Sequence, residues 1–130
     1  MVLNGTQILV VDDEPEILTL FRIFLESEGC SVETAATARE ALGLINAKKF
    51  DLAIIDVNLP DSHGTALPEK FSLIQPDLMK IVISGDDMNE EFRTMPGIDE
   101  YLVKPVKKRV LLGMIENMIV KRGLPNHTAK

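Results

Sequence analysis

Cys30 is the only cysteine in the chain, so no internal disulfide can close and no thiolate metal cluster can form. That suits a reducing cytosol. Positive charge is also scarce. The 14 Lys and Arg residues are outnumbered by 20 Asp and Glu, for a net charge of −6 at pH 7. Such a balance argues against a general nucleic-acid or anionic-membrane surface. Long apolar runs are missing: none approaches the roughly 20 residues of a membrane-spanning helix. The opening MVLNGTQ has no charged region followed by an apolar stretch, so no signal peptide is expected. Together the absences predict a soluble, cytoplasmic domain. At 130 residues it is one domain, able to bury roughly two-thirds of its unfolded surface.

What the chain does have is alternation. Ile8–Val11 and Leu52–Ile55 are continuous apolar runs, as in strands buried on both faces, and Lys80-Ile81-Val82-Ile83 is a further strand. Cys30–Ala35 alternates more weakly, as an edge strand does, and Tyr101–Val103 is a fifth strand. Between them lie helical patterns. Pro15 suits a first helical turn, Ile17, Leu18, Phe21 and Leu25 recur at helical spacing, and Gly29 is placed to end that helix. Thr37-Ala38-Arg39-Glu40 reads as a capping box opening a second helix through Ala41, Leu42 and Ile45. Leu67, Phe71 and Ile74 share a face of a third helix, with Pro68 in its first turn. The stretch 86–95 is polar and ends at Met95-Pro96-Gly97, which predicts a short or mobile fourth helix. Val110, Leu111, Met114, Ile115, Met118 and Ile119 form the stripe of the last one. Strand and helix in alternation predict an α/β fold, a doubly wound parallel sheet with helices on both faces.

In such sheets the reactive crevice lies outside the carboxyl ends of the strands. Four of the five predicted strands end in reactive groups: Asp12 and Asp13, Asp56, Ser84 and Lys104. Adjacent carboxylates repel by a few kcal/mol at ~4 Å and an effective dielectric near 20, so their presence asks for a reason. Converging carboxylates suit a hard divalent cation such as magnesium. An aspartate can act as a nucleophile toward a phosphoryl group, and a lysine and a hydroxyl can neutralise and orient its oxygens. The set reads as a metal-assisted aspartyl phosphorylation site.

The motifs VVDDEP, IIDVNLPDSHG, ISG and DEYLVKPV, in this order at strand ends, resemble the receiver domains of two-component response regulators. The resemblance covers roughly residues 6–122, leaving 1–5 as an N-terminal extension and 123–130 as a tail or linker stump. It implies a flavodoxin-like five-stranded sheet in the order 2-1-3-4-5. It also implies that Asp56 is the phosphoacceptor. Asp13 and Asp56 would ligate magnesium directly with the carbonyl of Asn58, and Asp12 largely through water. Lys104 would pair with phosphoryl oxygens, Ser84 would hydrogen-bond them, and Gly85 would leave room for entry. Tyr101 stands at the family's switch-aromatic position, and the Lys104-Pro105 bond would be cis. The implied partners are a sensor histidine kinase or phosphotransfer protein and an output domain or partner protein. The domain would bind no nucleic acid or membrane, be a monomer or phosphorylation-dependent dimer, and catalyse only its own modification and its reversal.

Each feature also has a plainer reading. Asp12 and Asp13 could cap the first helix. Tyr101 could be half-buried packing, Cys30 a small buried hydrophobe, and His63 an exposed turn residue. Lys107-Lys108-Arg109 reads as a solvated face. The enzymatic rival is an aspartate-nucleophile phosphatase of the haloacid-dehalogenase type. There the nucleophile opens an Asp-x-Asp motif near the N-terminus, whereas here Asp56 precedes Val57 and Asn58. A phosphorylation-independent scaffold of the same fold would lack site residues, and none is missing.

Overall fold

The structure, a computed structural model, describes residues 3–61, 67–85 and 96–122. The expected fourth helix at 86–95 lies outside them, as do His63 and Gly64. Five strands are described: β1 (Gln7–Val11), β2 (Ser31–Ala35), β3 (Leu52–Asp56), β4 (Met79–Ser84) and β5 (Glu100–Val103). The helices among the described residues are α1 (Pro15–Glu26), α2 (Ala38–Ala47), α3 (Leu67–Ile74) and α4 (Lys108–Arg122). All strand pairs are parallel, in the order β2-β1-β3-β4-β5. The expected topology is therefore the observed one.

The two-residue period of the strands divides the core. Ile8 and Val10 of β1, with Leu52 and Ile54 of β3 and Ile81 and Ile83 of β4, pack against Phe21 and Leu25 of α1 and Leu111 and Ile115 of α4. Their neighbours Leu9, Val11, Ala53 and Ile55 point the other way, onto Ala41 and Ile45 of α2 and Phe71 of α3. A strand flanked by helices on both sides must be apolar at every position, which is why β1 and β3 read as unbroken runs. Fully buried side chains such as Phe71 and Leu25 each contribute roughly 1.5–3 kcal/mol through removal from water.

Two stripe residues fall outside this core. Val110 is 48% exposed and Ile74 is 38% exposed. Leu111, Ile115, Met118 and Ile119 set the face that α4 turns to the sheet, and Val110 lies about 100° round from Leu111. Ile74 is the last residue of α3, where the chain turns away toward β4. The basic run before and within α4 is exposed, as expected, although the Lys108 ammonium lies 5.9 Å from the centre of the Phe24 ring.

The helix ends follow the capping rules with two departures. Gly29 adopts φ +89°, a left-handed conformation that favours glycine. Thr37 caps α2, its hydroxyl accepting from Glu40 N–H, but Glu40 returns its bond to Ala36 N–H rather than to Thr37. At the other end of α2, Gln75 reaches across from beyond α3. Its amide donates to the carbonyls of Ile45 and Lys48 and accepts from Phe50 N–H, at 2.7–3.0 Å.

Candidate functional site

The strand register delivers the reactive groups to one edge. Val11 pairs with Ile55, so Asp12 and Asp56 each lie one step further along adjacent strands. Asp56 pairs with Ile83, which leaves Ser84 one step beyond, opposite Val103. Lys104 follows Val103 and its N–H donates to the Ser84 carbonyl at 2.8 Å. The carboxyl ends of β1, β3, β4 and β5 thus converge, and β2 contributes no reactive group.

Lys104 is the hub. Its ammonium lies 3.2 Å from Asp12 Oδ2, 3.2 Å from Asp56 Oδ2 and 3.8 Å from Glu14 Oε1. Asp12 and Asp56 are buried, at 2% and 4% exposure, whereas Asp13 is exposed. Asp12, Asp13 and Asp56 each bring one carboxylate oxygen within 4.8 Å of the others. Among the described residues Lys104 pairs with three carboxylates and Asp13 adds a fourth to the cluster, so negative charge remains in excess.

The electrostatics reflect that excess. Burial pushes the Asp12 carboxyl above its ordinary value; the Glu14 N–H bond opposes the shift and the Asp56 charge adds to it. Burial alone would lower the Lys104 ammonium, but Asp12 and Asp56 outweigh it and hold Lys104 above its usual value. A second positive charge is what the cluster lacks. Three oxygen donors, one of them open to solvent, fit a hard divalent cation such as magnesium, which prefers oxygen ligands and keeps several waters.

Neither aspartate caps α1. Its N-cap is Glu14, whose side chain makes no capping bond, while Asp12 Oδ1 accepts from Glu14 N–H at 2.9 Å. Asp12 therefore closes the turn that leads into the helix, and Asp13 stays on the rim.

The remaining expected residues are placed as follows. Asn58 is exposed, and its N–H donates to Asp56 Oδ1 at 3.1 Å, fixing the chain just past the strand. Ser84 is buried at the end of β4, and Gly85 follows it, with nothing within 4 Å of where a Cβ would stand. The Lys104-Pro105 peptide is cis, as the resemblance implied. Tyr101 is half-buried and packs with Ile98 against Val57 and Val82, directly beside the residue that follows Asp56. Cys30 is a buried free thiol, pushed up to about 11 by burial and by the nearby Glu28 charge.

Two participants were not foreseen. Glu14, within the VVDDEP motif, reaches toward Lys104. Asp61, in the loop after β3, accepts from Ala38 N–H at 2.8 Å and Arg39 N–H at 3.1 Å, at the start of α2. These bonds hold its carboxyl below the ordinary value. A turn-forming aspartate carries no mark of which helix it will reach.

Known proteins resemble this chain in sequence and in fold. The family described as response regulator receiver domain matches residues 8–116. Response regulator SaeR of Staphylococcus epidermidis is 28% identical over 127 residues, covering 96% of this chain and 55% of that protein. Two-component response regulator ARR11 of Arabidopsis thaliana is 36% identical over 124 residues, 91% of this chain and 23% of that one. The chain thus spans about half the length, or less, of these curated relatives. Among solved structures, a CheY-like receiver domain from Methanospirillum hungatei superposes with a TM-score of 0.87 at 39% identity, covering 92% of this chain and 98% of its own. Response regulator TrrA of Thermotoga maritima, solved with magnesium and a beryllium fluoride, gives 0.80 at 28% identity over 87% of this chain and 98% of its own.

Proposed function

The chain belongs to the response regulator receiver domain family, and from that premise we propose that Asp56 accepts a phosphoryl group from a histidine of a sensor kinase or phosphotransfer protein. The observation that carries this reading is the shared Lys104, at 3.2 Å from both Asp56 and Asp12 inside a cluster of three carboxylates. A strand-end aspartate held beside a lysine and a cation site has what phosphoryl transfer asks for, namely position and charge neutralisation.

Each residue then has a task. An Asp56 carboxylate oxygen attacks phosphorus, and the bond from phosphorus to the donor's imidazole nitrogen breaks. That nitrogen keeps the electron pair and takes a proton. Lys104 meets the charge on the phosphoryl oxygens, and Ser84 donates its hydroxyl to one of them. Gly85 leaves the approach open. Asp13, Asp56 and the Asn58 carbonyl would hold magnesium, with Asp12 acting largely through water. When bound, the cation supplies the positive charge the cluster lacks and offsets the charge of the incoming group.

A protein donor suits the surroundings. Beside Lys104 lies a largely apolar cavity of about 310 Å³ lined by Ile17, Leu20, Phe21, Gly85, Pro105 and Val106. Ile23, on the same helix as Leu20, is 58% exposed. Modification at Asp56 then shifts a two-state equilibrium through Ser84 and Tyr101, whose ring packs on Val57. The output is a partner protein or a further domain, and the domain's only chemistry is its own phosphorylation and dephosphorylation. We place it in the cytoplasm; among the described residues no helix is long and apolar enough to cross a membrane.

The test is direct. Incubation with magnesium and a small acyl phosphate should give an acid-stable, base-labile adduct that is lost in Asp56→Asn. Sustained turnover of a phosphate ester without such an adduct would favour the phosphatase reading instead, which the family assignment leaves without support.

A further inference from the structure

The loop that leaves Asp56 is pinned at three points, and the last of them lies on another helix. Asp56 Oδ1 holds Asn58 N–H at 3.1 Å. Leu59, 8% exposed, is buried in the core layer that includes Ala38 and Ala41 of α2. Asp61 then grips α2 itself with both carboxylate oxygens, at 2.8 and 3.1 Å.

At the start of α2, three N–H groups without an intrahelical acceptor find partners on side chains. Four N–H groups at a helix start have no intrahelical acceptor. Here Glu40 N–H goes to the Thr37 hydroxyl, and the N–H groups of Ala38 and Arg39 go to Asp61, while Ala41 N–H makes the first intrahelical bond to the Thr37 carbonyl. Thr37 alone would make an ordinary cap. A bidentate carboxylate from 22 and 23 residues away does something more: it ties the helix to the segment carrying Asn58.

We propose that Asp61 is a positioning residue for the cation site, fixing the Asp56–Asn58 segment by anchoring its far end to α2. This rests on the reading of Asp56, Asp13 and Asn58 as the magnesium site. A backbone carbonyl serves as a ligand only if its peptide is held in one orientation, and Asn58 is otherwise an exposed residue in a loop rich in turn formers. With Asn58 N–H bonded to Asp56 and the chain three residues further on tied to α2 through Asp61, the segment between them has little freedom left. Coupling of this kind is reciprocal: if the anchor favours the cation, the cation steadies the anchor and the start of α2.

The experiment compares Asp61→Ala and Asp61→Asn with Thr37→Ala, which removes a cap from the same helix end without touching the loop. Magnesium affinity is measured by calorimetry, and amide exchange at Ala38 and Arg39 is followed with and without magnesium. Asp61→Ala should weaken magnesium binding by about tenfold, as removal of outer-shell groups does. Asp61→Asn, which retains one acceptor, should fall between, and Thr37→Ala should bind as wild type despite a lowered melting temperature. In the wild-type protein magnesium should slow exchange at both amides, a readout that requires no variant to fold. Equal magnesium affinity in all three variants, or exchange at Ala38 and Arg39 indifferent to magnesium, would reduce Asp61 to a helix cap and overturn the proposal. Failure of the wild-type protein to bind magnesium at all would instead overturn the functional reading beneath it.

Discussion

Asp13→Asn should make the protein more stable without divalent cation and less stable with it. Asp13 sits on the rim with an oxygen within 4.8 Å of oxygens on Asp12 and Asp56. At that separation each repulsion is about 0.9 kcal/mol in a water-like dielectric and about 3.5 kcal/mol at an effective value near 20. Because Asp13 is exposed, the lower figure applies. Two such repulsions, partly offset by the Lys104 charge beyond them, leave a relief of about 1 kcal/mol. For a domain of this size that corresponds to about 4 °C in Tm. Magnesium at one hundred times its Kd should stabilise the wild-type protein by about 2.7 kcal/mol through mass action, or roughly 11 °C. The variant should forfeit most of that gain. Thermal unfolding followed by circular dichroism, with chelator and then with magnesium, should therefore show the order of the two proteins inverting. If Asp13→Asn melts lower in chelator and gains as much from magnesium as wild type, Asp13 serves the folded chain and not a cation.

Other outcomes follow from the same contacts. Lys104→Met strips the counter-charge from buried Asp12 and Asp56 and should cost about 2 kcal/mol at pH 7, below the usual range for a buried pair because Lys104 is partly exposed. A carboxyl raised in the folded state favours folding most below its unfolded value, here 3.8, and loses that contribution as pH rises through the folded value. The deficit of Lys104→Met should thus shrink between pH 7 and pH 4.5 in urea melts; a constant deficit would mean the carboxylates do not feel the lysine. Gln75→Ala removes three bonds around the end of α2 and should cost about 3 kcal/mol, measured by chemical denaturation, with magnesium affinity unchanged. Cys30, buried and held near 11, should react with a thiol reagent at pH 8 only as fast as the protein opens, and at once in denaturant. Rapid labelling of the native protein would contradict its burial.

Much of this was legible in the residues themselves. Burial on both faces forces unbroken apolar runs, so Ile8–Val11 and Leu52–Ile55 announce a parallel sheet. Reactive residues that end such runs announce the edge where a site forms, and Asp12, Asp13, Asp56, Ser84 and Lys104 do gather there. Periodicity can say this because it records which side chains must leave water. It records nothing about which polar group will meet which. That Lys104 lies between Asp12 and Asp56, 48 residues from the latter, was decided by strand register. That Asp12 closes the turn before α1, leaving Asp13 on the rim, was decided by the path of the backbone. Asp61 on the start of α2 and Gln75 around its end are bonds from a side chain to distant backbone, and such bonds impose no spacing on a sequence. The sequence determined the fold and the chemical groups at its edge; the folded chain alone decided how those groups share one positive charge and what holds them in place.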